Sequence, residues 1–71
     1  MTEIDAIVIL AFARCSMNAN ETARKLAYNH NSIHYHLNKV KDHTGLDPRN
    51  FFDLHELYQM ATGILGEDFD I

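Results

Sequence analysis

Seventy-one residues give material for one hydrophobic core and none for a second. Hydrophobic residues make up 46%, but charges break them up, and no run approaches the roughly 20 apolar residues of a membrane-spanning helix, so a soluble, membrane-free domain is expected. The net charge of -4 argues against a wholly basic phosphate-binding surface, while the acidic opening Met1-Thr2-Glu3-Ile4-Asp5 and the single cysteine predict a cytoplasmic protein without a secretory signal or disulfide.

Thr2 followed by Asp5 is a capping-box pattern with Asp in place of Glu. Ile4, Ile7, Val8, Ala11, Phe12 and Cys15 then recur at helical spacing, which predicts a first helix with Cys15 as a buried packing residue. Ser16-Met17-Asn18-Ala19 reads as a loop, after which Asn20 can cap a short helix over residues 21–27. Tyr28-Asn29-His30 reads as a turn in which Asn29 tolerates the left-handed conformation. Asn31 or Ser32 then caps a longer helix built on Ile33, Leu37 and Val40, which Gly45 closes. Asp47-Pro48 predicts a single helical turn, and Asp53 a cap for a last helix carrying Leu54, Leu57, Tyr58, Ala61 and Leu65 on one side. Residues 66–71 are expected to fray.

Two helices of about seven and twelve residues joined by three will cross steeply and leave the outer face of the second exposed. That is a helix-turn-helix unit, predicted over residues 20–43. Its packing needs are met by the small Ala23 where the helices touch, Leu26 one turn later, Tyr28 plugging the turn, and Ile33. The expected fold is all-α, a small helix-turn-helix bundle of four to five helices in one domain over 1–71, with its core in 2–65.

Charge is distributed unevenly along the chain. Residues 14–43 hold Arg14, Arg24, Lys25, Lys39 and Lys41 against Glu21 and Asp42, a balance of +3, whereas the remainder has Arg49 alone against eight carboxylates. His30, His34, His36 and His43 also fall in the positive window and can add charge on mild acidification. The middle of the chain is therefore the candidate working surface.

From that window onward the chain reads Asn20-Glu21-Thr22-Ala23-Arg24-Lys25-Leu26, then Asn29-His30-Asn31-Ser32-Ile33-His34-Tyr35-His36-Leu37, then Thr44-Gly45-Leu46-Asp47, and the likeness they carry needs no gap from Asn20 to Leu46. This stretch resembles the C-terminal helix-turn-helix of purine-catabolism-regulator (PucR-type) and sugar-diacid-regulator proteins, and Asp53-Leu54-His55-Glu56-Leu57 resembles the family's closing segment. A more distant likeness is to the factor-for-inversion-stimulation type. The resemblance implies a sequence-specific, DNA-binding transcription regulator with double-stranded DNA as partner. Two departures stand out: His30, His34 and His36 occupy positions where the family generally has arginine, which implies weaker phosphate binding, and the family's long sensory regions are not among these 71 residues.

Opposite the stripe of Ile33, Leu37 and Val40 lie Asn31, Tyr35 and Asn38, flanked by Ser32 and Lys39. Recognition helices read bases mainly from their first turns, so Asn31, Ser32 and Tyr35 fit base-edge contact, although Asn31 or Ser32 can equally serve as a cap. Thr22 and Arg24, with Lys25 near, suit phosphate docking at the start of the second helix. Asn29, His30, His34, His36, Asn38 and Lys39 complete the expected DNA-binding set. The three histidines also predict affinity that rises as pH falls from about 8 to about 6. His30 and His34 have two-point metal spacing, but no Cys or carboxylate lies near in sequence, and no metal, cofactor or small-molecule effector site is expected. Nor is there a Ser/His/Asp, Cys/His or Gly-rich phosphate arrangement, so enzymatic activity is not expected. Helix-turn-helix units commonly read two half-sites as dimers, which predicts a homodimer through Phe51, Phe52, Leu54, Leu57 and Tyr58. The alternative is a protein-interaction or dimerisation module that keeps the fold but binds DNA weakly or not at all.

Overall fold

The computed structural model describes all of residues 1–71 as four helices, α1 (Glu3–Arg14), α2 (Ala19–Leu26), α3 (His30–Thr44) and α4 (Phe51–Leu65), with no strand. The expected all-α helix-turn-helix bundle is what forms. The helical turn anticipated at Asp47-Pro48 is a hydrogen-bonded turn instead, with the Asp47 carbonyl accepting from Asn50 N–H at 2.9 Å and Asp47 Oδ1 from Arg49 N–H at 3.0 Å.

α1 is the centre of the bundle. It packs against each of the other three helices, α2 also packs on α3, and the backbone of α4 runs alongside α1 alone. A helix covered on two sides needs apolar residues around most of its circumference. Ala6, Val8, Ile9, Leu10, Ala11 and Phe12 are accordingly all buried. The single stripe read from the sequence is too narrow for this: Ile4 lies outside it at 48% exposure and Cys15 is only half-buried, whereas Ala6, Ile9 and Leu10 belong to the interior. The core continues through Ala23 of α2, Ile33, Leu37 and Val40 of α3, and Leu54, Leu57 and Ala61 of α4.

Helix ends explain the remaining differences. Thr2 and Asp5 form the expected reciprocal capping box, and Gly45 closes α3 at φ 79°. The other three caps are all asparagines, each just before the position the sequence suggests. Asn18 accepts from Glu21 N–H at 3.0 Å, Asn29 from Asn31 N–H at 2.6 Å, and Asn50 from the N–H groups of Phe52 and Asp53 at 3.0 and 3.1 Å. Asn20, Asn31, Ser32 and Asp53 therefore lie inside helices rather than at their caps. α2 starts early because Ser16 and Met17 both take positive φ, 55° and 63°, and reverse the chain within two residues. The left-handed residue between α2 and α3 is Ala27 at φ 55°, not Asn29, and Tyr28 is exposed rather than plugging the turn.

Ala27 gives a test of this turn. An L-residue with a Cβ holds the left-handed conformation at a cost of roughly 1–2 kcal/mol, from which glycine is exempt. Ala27 is exposed, so no packing is lost with its methyl. Ala27→Gly is expected to raise stability by about 0.5–1 kcal/mol after allowance for the looser unfolded chain, read as a higher urea midpoint at unchanged slope.

Candidate nucleic-acid interface

The outer face of α3 follows from its inner one. Ile33, Leu37 and Val40 are at most 1% exposed, so the positions opposite them must face solvent. Asn31, Tyr35 and Asn38 do so, Tyr35 with 62% of its surface free. With the cap supplied by Asn29, the side chains of Asn31 and Ser32 are released from capping, Ser32 being half-buried. Asn29 correspondingly has its side-chain oxygen occupied by the Asn31 N–H.

Three residues expected at this interface are turned elsewhere. Thr22 is fully buried and donates its hydroxyl to the Asn18 carbonyl at 2.8 Å, so its side chain cannot dock a phosphate. His36 Nδ1 lies 2.8 Å from Asp5 Oδ1, and Lys39 Nζ lies 3.4 Å from Asp5 Oδ2. Both therefore tie α3 to the start of α1. Asp5 itself is 1% exposed. Burial pushes its carboxyl pKa up, but hydrogen bonds from the Thr2 backbone, His36 and the Thr2 side chain, together with the Lys39 charge, outweigh this and hold it below the usual value. The capping signal made Asp5 visible in the sequence; its tie to His36, 31 residues away, had no local signature.

The other flank of α3 carries a second polar chain. Arg49, from the loop between α3 and α4, donates from Nη1 to Asn38 Oδ1 at 3.1 Å and from Nη2 to His34 Nδ1 at 2.9 Å. Arginine is always a donor, so His34 Nδ1 must accept and its proton sits on Nε2. That Nε2 is 3.3 Å from His30 Nε2, to which it donates. The proton on Nε2 also competes with any metal for the atom that the i, i+4 spacing would offer. Burial, then the His30 and Arg49 charges, hold the His34 pKa below its ordinary value, which favours the neutral ring that the Arg49 contact requires. With His36 turned to Asp5 and His34 held by Arg49, His30 is the most exposed of the three histidines on the outer face.

The cations are mostly engaged. Arg24 pairs with Glu21, and Lys41 lies 3.8 Å from Asp47. Arg14 donates to the Phe69 carbonyl at 2.9 Å, which gives the C-terminal segment one tie. Asp42 is a further exposed residue on the outward line of α3, where its charge opposes phosphate. Of the residues expected at a dimer contact, Leu54 and Leu57 are buried in the monomer core and Tyr58 is half-buried, because α4 must spend them on α1. Phe51 and Phe52 are free, at 66% and 77% exposure, and Met60 and Ile64 add apolar surface to α4.

A four-helix, all-α molecule whose α2–α3 pair presents a polar helix face is a helix-turn-helix domain, in the class of DNA-binding regulator domains. The family model described as the PucR C-terminal helix-turn-helix domain matches residues 7–61. The chain belongs to that family. No curated protein and no solved structure matches it. No helix is long and apolar enough to cross a membrane.

Proposed function

We propose that the domain reads double-stranded DNA sequence-specifically, with the first turns of α3 in the major groove and α2 bracing the backbone. The observation that carries this is the exposed row of Asn31, Tyr35 and Asn38 directly opposite the buried Ile33, Leu37 and Val40. Asparagine can bond bidentately to adenine, and the tyrosine ring can meet a thymine methyl. The Tyr35 ring meets only the edge of His36, with centroids 5.2 Å apart, and most of its surface stays free for a partner. The domain acts as a homodimer, joined through Phe51, Phe52 and the outer side of α4, which lies clear of α2 and α3 and so leaves both recognition helices open. Its compartment is the cytoplasm.

Fluorescence anisotropy with mixed and selected duplexes at low and moderate salt tests the proposal. Affinity should fall steeply with salt, and the bound stoichiometry should be two chains per duplex. Tyr35→Ala should narrow the difference between selected and mixed duplexes by about 5- to 150-fold, the range of a base contact worth roughly 1–3 kcal/mol, without loss of fold. Binding that ignores salt, or a Tyr35→Ala variant with unchanged discrimination, would defeat it and leave the protein-interaction module as the reading.

A further inference from the structure

Arg49 stands outside the helix-turn-helix unit, in the acidic part of the chain, and no sequence pattern singles it out. The fold nevertheless carries it onto α3. The preceding Pro48 is buried and has a restricted φ, Asp47 Oδ1 accepts the Arg49 N–H, and Asp47 N–H donates to Asp53 Oδ2 at 3.0 Å. Asn50, the next residue, is locked as the cap of α4. The backbone from which the side chain springs is therefore fixed on both sides. Its guanidinium bridges Asn38 and His34, one helical turn apart on α3 and bordering the exposed Tyr35.

The chemistry of these partners matters. Arg24, Lys39 and Lys41 each pair with a carboxylate, whereas both side chains holding Arg49 are neutral, so its charge is not cancelled. A guanidinium has five N–H donors, and two are used here, leaving the others for an incoming acceptor. Neutral acceptors that orient a guanidinium without neutralising it suit bidentate recognition of phosphate. In its first turns this flank of α3 carries histidines, His30 and His34, and no arginine or lysine of its own, so a permanent cation is delivered there from another element.

We propose that Arg49 is a DNA-contacting residue: held against α3 by Asn38 and His34, its guanidinium binds a backbone phosphate beside the stretch of major groove that α3 reads. The inference rests on the DNA-binding function proposed above and adds a contact that lies outside the recognition unit. Asn38 and His34 become positioning residues as well as parts of the α3 surface. His34 must be neutral to accept from Arg49, so Arg49 and a protonated His34 exclude one another.

The test is a salt series of anisotropy titrations on wild type, Arg49→Ala, Arg49→Gln and Arg49→Lys, each checked for native helicity by circular dichroism. The Ala and Gln variants should bind every duplex about tenfold more weakly at low salt and lower the salt slope by about one ion. Arg49→Lys should restore the slope but only part of the affinity, since an ammonium lacks the planar fork that spans Asn38 and His34 and still presents a paired edge to a phosphate. In the Ala and Gln variants the His34 imidazole, followed by NMR, should also lose its preference for the Nε2-protonated tautomer. Wild-type affinity and slope in the Ala and Gln variants, alongside a wild type that binds duplex in a salt-dependent way, would overturn the Arg49 assignment alone. A wild type that binds no duplex at low salt would overturn both it and the DNA-binding function.

Discussion

Asp5→Ala is expected to remove about 3 kcal/mol of stability, most of what a single small core supplies. The figure is the low end for breaking a buried charged pair, because the His36 and Lys39 side chains are 15% and 25% exposed and can be rehydrated in part. The variant loses three things together: the reciprocal cap of α1, the acceptor for His36, and the counter-charge of Lys39. Asp5→Asn keeps an acceptor for the Thr2 N–H and should fall between the two. Because α3 is tied to α1 through this carboxylate, heteronuclear NMR of Asp5→Asn should show shifts along α3 as well as at the N-terminus. Urea unfolding of wild type and both variants measures the effect, and a midpoint for Asp5→Ala within error of wild type would show that the cluster contributes nothing.

The same carboxylate sets an acid limit. Its folded pKa lies below the ordinary value of 3.8, so between the two values the unfolded chain binds more protons than the folded one. Its stabilisation is complete above the unfolded pKa and is lost as pH falls through the folded one. Wild type should therefore lose stability below about pH 4 more steeply than Asp5→Asn, which has no proton to take up there.

Ile33→Ala should cost about 3–4 kcal/mol, since Ile33 is fully buried in the common core and its truncation leaves a cavity between α3 and the rest of the bundle. The contrast with Tyr35, two residues on and facing outward, is the informative part. Ile33→Ala should lower DNA affinity only as far as it lowers the folded fraction, and a stabilising osmolyte should recover both together. Tyr35→Ala should leave stability within about 0.5 kcal/mol and change discrimination instead. A stable Ile33→Ala variant, or an unstable Tyr35→Ala one, would mean that the two faces of α3 have been exchanged.

Local chemistry alone determined much of this protein. The Thr2–Asp5 box, the Ile33-Leu37-Val40 stripe and Gly45 each act within a few residues, so the four helices and the outward row of Asn31, Tyr35 and Asn38 could be read from spacing, and the motif from Asn20 to Asp47 indicated the family. Caps were less legible because asparagines and other capping residues stand close together, and which of them takes the cap depends on where the preceding turn delivers the chain. Ser16, Met17 and Ala27 made those turns in left-handed conformations that no glycine announced. Tertiary structure decided the rest. Only packing on two sides could tell that α1 needs nearly its whole circumference apolar, and that Leu54 and Leu57 are consumed by the monomer rather than left for a partner. Only the assembled bundle brings His36 and Lys39 to Asp5, and Arg49 to His34 and Asn38, because charge interactions depend on distance in space, and these contacts join residues 11 to 34 positions apart in the chain.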